Sequence, residues 1–245
     1  MRSDNPAARL LAILKLGQTH NINSIAKSVW FSIFSIEEED LVAAESLLMA
    51  KLGQVMLLPH NTQNLVSTYY PELSEDLTYV MSRLQDAFIR QNLSGAWSTF
   101  IGHIDVHCIS TLSMTATLLD HKLETSLIAP DDIEKFRERV QTLISDSLKI
   151  ELDKEFKKFI VHYLQKILTA LNDYLISGAQ PILDALEATL GHAVLDPKFK
   201  EHLKEDGFGK KVREFIGDLA NVVTIATAAT GAVAYITEHG FPLLN

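Results

Sequence analysis

Phe156, Ile160, Tyr163, Ile167, Leu171 and Tyr174 step along the chain by four, three, four, four and three residues. Leu77, Val80, Met81, Leu84 and Phe88 step by three, one, three and four, which keeps them on one side as well. This spacing puts each set on one side of an α-helix, and no convincing stretch alternates with the period of two that a half-buried strand needs. Such a chain can fold only by packing helix stripes together. The expected fold class is all-α, a bundle of about nine or ten helices.

Local signals place the helices. Asn5-Pro6 reads as an N-cap followed by proline at the first helical position, with Gly17 as the stop. A second short helix is expected from Ser24 to Ile33. A third is expected to start at Ser35, with Glu37 to Asp40 in its first turn near the positive end of the dipole, and to stop at Pro59. Residues 60–72 read as loop or as briefly helical up to Pro71, and Ser74 opens the next helix. The stretch Asn92-Leu-Ser-Gly95 is a break, after which one long helix is expected from Ala96 to His121. Ala129-Pro130-Asp131-Asp132 is a turn and cap ahead of a helix that runs to Ser147. Further helices are expected over 153–177, from Pro181 to Gly191, from Asp196-Pro197 to Gly207, and from Lys210 to Thr237.

At 245 residues the chain can bury a sizeable core without disulfide or metal. No polar linker separates parts of it, so 1–245 reads as a single helical domain whose best internal division lies near 130, between 1–129 and 130–245. The lone Cys108 excludes an internal disulfide and fits a reducing compartment. The start, with Asp4 and only a brief apolar run, does not read as a secretory leader. The net charge of −9 comes with no strongly basic segment beyond Lys210, Lys211 and Arg213, which argues against a nucleic-acid surface. The expected location is cytoplasmic, with association to a membrane on activation as the alternative.

Leu219 to Thr237 carries no charge and is bracketed by Asp218 and Glu238. Its length, about 28 Å as a helix, is close to a bilayer's apolar thickness. Six strong apolar residues are opposed by Asn221, Gly231 and four threonines, so insertion is marginal. The spacing carries more. Leu219, Val222, Ala226, Ala229, Val233 and Ile236 form one seam, and Ala220, Thr224, Thr227, Gly231 and Ala234 form a second seam of small residues. Two such seams suit a helix buried between neighbours, and the small one lets another backbone come close. Ala220, Thr224, Thr227, Gly231 and Ala234 are therefore the candidate interaction residues, with a membrane as the other surface they could meet.

His103 and His107 are four residues apart and would share a helix face, the spacing by which paired histidines bind zinc. They project away from the apolar stripe of Trp97, Ile101, Ile104, Cys108 and Leu112, with no third ligand in view. No functional metal site, cofactor or catalytic residue is expected, and the pair stands as the candidate if a metal is held. Cys108 on the stripe reads as a core thiol. No phosphate-binding glycine loop, nucleophile elbow or cysteine-pair metal spacing occurs.

The stretches "NPAARLL", "SVWFSIF" and "AWSTF" resemble a loose group of bacterial helical proteins of unassigned function, met in variable genome regions. The resemblance implies a bacterial origin and, by association, a role in conflict or defence systems. The resulting expectation is a non-enzymatic regulatory or effector module that acts through a protein partner or self-association. A membrane-perturbing effector using the 219–237 helix is the alternative. A hydrolase of an unrecognised helical class is the third reading.

Overall fold

A computed structural model describes residues 4–123 and 125–227, the side chain of Asp76 excepted. Gly231, Ala234 and the rest of 228–237 lie outside the described residues. Twelve α-helices are present among those described, ten of them seven residues or longer, with no strand. The fold is the all-α bundle that the apolar spacing requires. The chain divides into two compact units, the first ending at Glu124 and the second beginning at Thr125.

The first unit contains α1 (Pro6–Gln18), α2 (Ala26–Ile33), α3 (Leu41–Tyr69), a 3-10 turn (Pro71–Leu73), α4 (Ser74–Arg90), α5 (Ser98–Ile101) and α6 (Val106–Leu123). Helix α1 lies at its centre, packed on α3 and α6, with Ala7, Leu10, Leu11, Ile13 and Leu14 all buried. Asn5 holds its start in two ways. Its side-chain oxygen accepts the Ala8 N–H at 3.0 Å, and its amide nitrogen donates to the Ala116 carbonyl of α6 at 3.0 Å. Asn5→Ala removes the cap and the bond to α6 together, and is expected to cost about 1–2 kcal/mol of the unit's stability in chemical denaturation.

An aromatic cluster fills the space beside α1. Trp97 stands edge-on to Trp30 at 5.1 Å between ring centres, and Phe100 lies 5.0 Å from Trp97. Each indole N–H is satisfied: Trp97 donates to the Gly17 carbonyl at 2.8 Å, and Trp30 donates to the Gln91 side chain at 2.9 Å. The segment before α2 pairs with the segment before α5, with a single antiparallel bridge between Ile25 and Ala96. Ala26 N–H donates to Gly95 O and Trp97 N–H to Ser24 O, so the two tryptophans are brought in on paired backbone.

The structure corrects several expected boundaries. Helix α3 does not stop at Pro59 but runs through it to Tyr69. The missing N–H costs about 3 kcal/mol in a free helix. Here Val55, Leu58, Thr62 and Val66 continue the buried stripe on both sides of the proline, and this packing outweighs the local cost. Glu37 to Glu39 precede the helix, and Asp40 is its cap, accepting the Val42 and Ala43 N–H groups. The long helix expected from Ala96 to His121 is two, because Asp105 accepts the Cys108 N–H at 2.8 Å and starts α6 afresh.

The second unit contains α7 (Pro130–Lys149), α8 (Lys154–Asn172), α9 (Tyr174–Ser177), α10 (Gln180–Leu195), α11 (Pro197–Lys204) and α12 (Phe208–Thr227). Its core joins Phe136 and Val140 of α7, Ile160 and Leu164 of α8, Leu186 of α10, Phe199 of α11, and Phe215 and Leu219 of α12. Gly191 does not close α10, which continues to Leu195. A side chain at Gly191 would meet nothing within 4 Å, so the glycine marks no close contact. The stop comes from Asp196, which caps α11 by accepting the Lys198 and Phe199 N–H groups.

Candidate functional site

The tail seam divides once it is seen in the fold. In α12, Leu219, Ala220, Val223 and Ala226 are buried against the second unit's core, while Asn221 and Ile225 face outward, Ile225 with 75% of its surface exposed. The described turns of this helix are therefore one-sided and not buried all round. Ala220 sits on the core. Thr224 and Thr227 stand at the edge of the packed arc, half-buried. Thr227 donates its hydroxyl to the Val223 carbonyl at 2.9 Å, and the Thr224 hydroxyl oxygen has no hydrogen-bond partner among the described residues.

The histidine pair does not form the expected face. His103 lies in the turn between α5 and α6, and His107 lies in the first turn of α6. The His103 carbonyl accepts from Arg83 at 3.1 Å, and the His107 ring, exposed, rests 5.9 Å from that of Tyr79. Among the described residues no group of three His, Cys, Asp or Glu side chains could hold a metal ion. The Cys108 N–H bond, joined by the nearby Arg83, draws the Asp105 carboxyl below its usual range. Burial pushes the fully buried Cys108 thiol up, away from thiolate chemistry.

A histidine that sequence spacing did not single out is His192 in α10. Its ring lies 4.4 Å from Phe159, 4.7 Å from Phe199 and 5.5 Å from Tyr163. The Asp196 carboxylate is 3.6 Å from Nε2, just beyond hydrogen-bond reach. Three rings surround the imidazole, and its Nε2 has no hydrogen-bond partner among the described residues.

The largest unassigned feature is the outward side of α3. Its inner side, Ala44, Leu48, Leu52, Val55 and Leu58, packs in the first unit. Its outer side is also apolar: Val42, Met49, Met56 and Leu57 are exposed, with Val42 at 77% and Met49 at 57%. Ala43, Ser46, Ala50 and Gly53 fill the same side with small groups, and nothing comes within 4 Å of a side chain placed at Gly53. From Leu41 to Leu58 only Glu45 and Lys51 carry charge. Lys51 is on the inner side and buried, and Glu45 is drawn aside by an ion pair with Lys27. Among the described residues α3 is the one helix long and apolar enough to cross a membrane, by length and composition, although a third of its apolar stretch is buried inside the protein.

The signal for this face is in the sequence. Val42, Met49 and Met56 recur at exact sevens, and Ser46, Gly53 and His60 recur at sevens beside them. Because α3 is apolar on both sides, neither stripe stands out against a polar background. No protein family, curated protein or solved structure matches this chain.

Proposed function

We propose that this chain is a non-catalytic helical module that works by protein–protein assembly, with the outward face of α3 as its docking surface. One observation carries the reading. A helix that already packs its inner side leaves four large apolar side chains of its outer side in water, Val42, Met49, Met56 and Leu57. Their exposed area is about 400–500 Å², the size of the largest patch a monomer ordinarily leaves uncovered and one that is often functional. Methionine is over-used at surfaces that adapt to a partner, and two of the four are methionine. A role in a bacterial conflict or defence system belongs to the same proposal and rests on the sequence resemblance alone.

The test uses a cell extract of the organism that encodes the chain. The protein is expected to migrate well above its own 27.3 kDa, and Met49→Lys with Met56→Lys is expected to return it to that mass. Both positions are exposed in the single chain, so the double variant should keep its helical circular dichroism spectrum. Migration of the unaltered chain at its own mass would refute the assembly reading. Recovery with the membrane fraction instead would favour the alternative of a lipid-directed effector.

A further inference from the structure

The outward face of α3 is complementary to itself. We infer that its occupant is a second copy of this chain, docked antiparallel so that residue i lies level with residue 99 − i of the partner. This inference rests on the assembly reading and names the partner that the face fits.

The face has two flanks. Val42, Met49 and Met56 line one, and Ala43, Ala50 and Leu57 line the other, with Ser46 and Gly53 between them. In an antiparallel pair about a two-fold axis, residues at one level come from opposite flanks of the two helices. The stated register then sets Met49 beside Ala50, Met56 beside Ala43 and Val42 beside Leu57. Ser46 meets Gly53 where the backbones come closest. Each methionine lies against a methyl group, and no two large side chains compete for one space. The span from Val42 to Leu57 is about 22 Å, four turns of contact. The exposed apolar area of Val42, Met49, Met56 and Leu57 is about half of the roughly 800 Å² per partner that a standard interface buries, and Ala43, Ser46, Ala50 and Gly53 add to the contact.

Charge selects this direction over the parallel one. Glu37, Glu38, Glu39 and Asp40 stand exposed at the start of α3. A parallel pair would bring the two acidic runs together. The antiparallel pair moves them to opposite ends, sets Glu39 level with His60 of the other copy, and opposes the two helix dipoles. The same acidic run disfavours a bilayer as the occupant, since an anionic surface repels it and the outward face offers no lysine or arginine in return.

Two measurements on the purified full chain test this. In sedimentation velocity the unaltered protein is expected to be a dimer at micromolar concentration. Met49→Lys with Met56→Lys should raise the dissociation constant by at least about a hundredfold while the far-ultraviolet circular dichroism spectrum stays that of the folded chain. Single cysteines then report the register, because Cys108 is buried and does not compete. Under mild oxidation Ala50→Cys should link to its own copy. Val42→Cys and Leu57→Cys should each stay unlinked alone, being about 22 Å from themselves across the pair, and should link when mixed. Self-linking of Val42→Cys would mean a parallel pair and would overturn the register. A purified chain that stays monomeric, while the extract shows a large complex that the double variant abolishes, would overturn the second copy and leave the assembly reading standing. Monomer in both would sink both. Binding of the purified monomer to phosphatidylcholine vesicles would replace the second copy with a lipid surface.

Discussion

Trp97→Ala is expected to cost the first unit about 3–5 kcal/mol, a large share of what holds a domain of this size together. The side chain is fully buried and touches the unit's core from several sides. Its removal leaves a cavity between Trp30 and Phe100 and strips the Gly17 carbonyl of its indole donor. The α1 backbone loses packing as well, since the ring lies so close to Gly17 that a Cβ built there would come 2.9 Å from it. Both tryptophans of the chain lie in the first unit. Denaturation of the variant can therefore be followed by the fluorescence of Trp30 alone. A loss below about 1 kcal/mol would show that the aromatic cluster repacks and that Trp97 is not its anchor.

Gly209→Ala should destabilise the second unit by about 3 kcal/mol, and here the sign is the test. Alanine ordinarily stabilises a helix position over glycine by roughly 0.5–1 kcal/mol. Gly209 is the second residue of α12, and a Cβ built there would lie 2.2 Å from the His202 carbonyl oxygen and 3.1 Å from that of Leu203. Both atoms are backbone of α11, so no side-chain rotation relieves the clash and the α11–α12 corner must open. Phe199 and Phe215 sit in the core behind that corner. The variant is expected to lower the transition seen by far-ultraviolet circular dichroism while the tryptophan signal holds. A more stable protein would mean that the corner opens without cost.

The apolar spacing made the bundle legible: of the stripe members named from it Leu77, Leu84, Ile160 and Ile167 are buried, while Tyr163 and Tyr174 are half-buried at the core's edge. Errors arose where a local rule met a tertiary one. Pro59 looks like a stop, yet the stripe of Val55, Leu58, Thr62 and Val66 runs past it, and packing decides. The turn before α6 hid itself because Trp97, Ile101, Ile104 and Cys108 keep helical spacing across it. Only the bond from Cys108 to Asp105 shows the restart. The pairing of His103 with His107 fell with that helix. Ala220, named from its seam as an interaction residue, sits in the core of its own unit. The outward face of α3 was not, because two apolar sides on one helix cannot be told apart until a neighbour takes one of them.

Cys108 has a use beyond packing. It is the only thiol in 245 residues and has no exposed surface. A thiol reagent reaches it only during the moments when the first unit opens. The rate of its modification, divided by that of a short peptide thiol, gives the fraction of time the unit spends open. Such a measurement reads equilibrium fluctuations in native buffer, without denaturant, and follows one half of the chain while the other remains silent. If pairing through α3 holds the first unit closed, the modification rate should fall as protein concentration rises, so one buried sulfur atom can report assembly through the arithmetic of mass action.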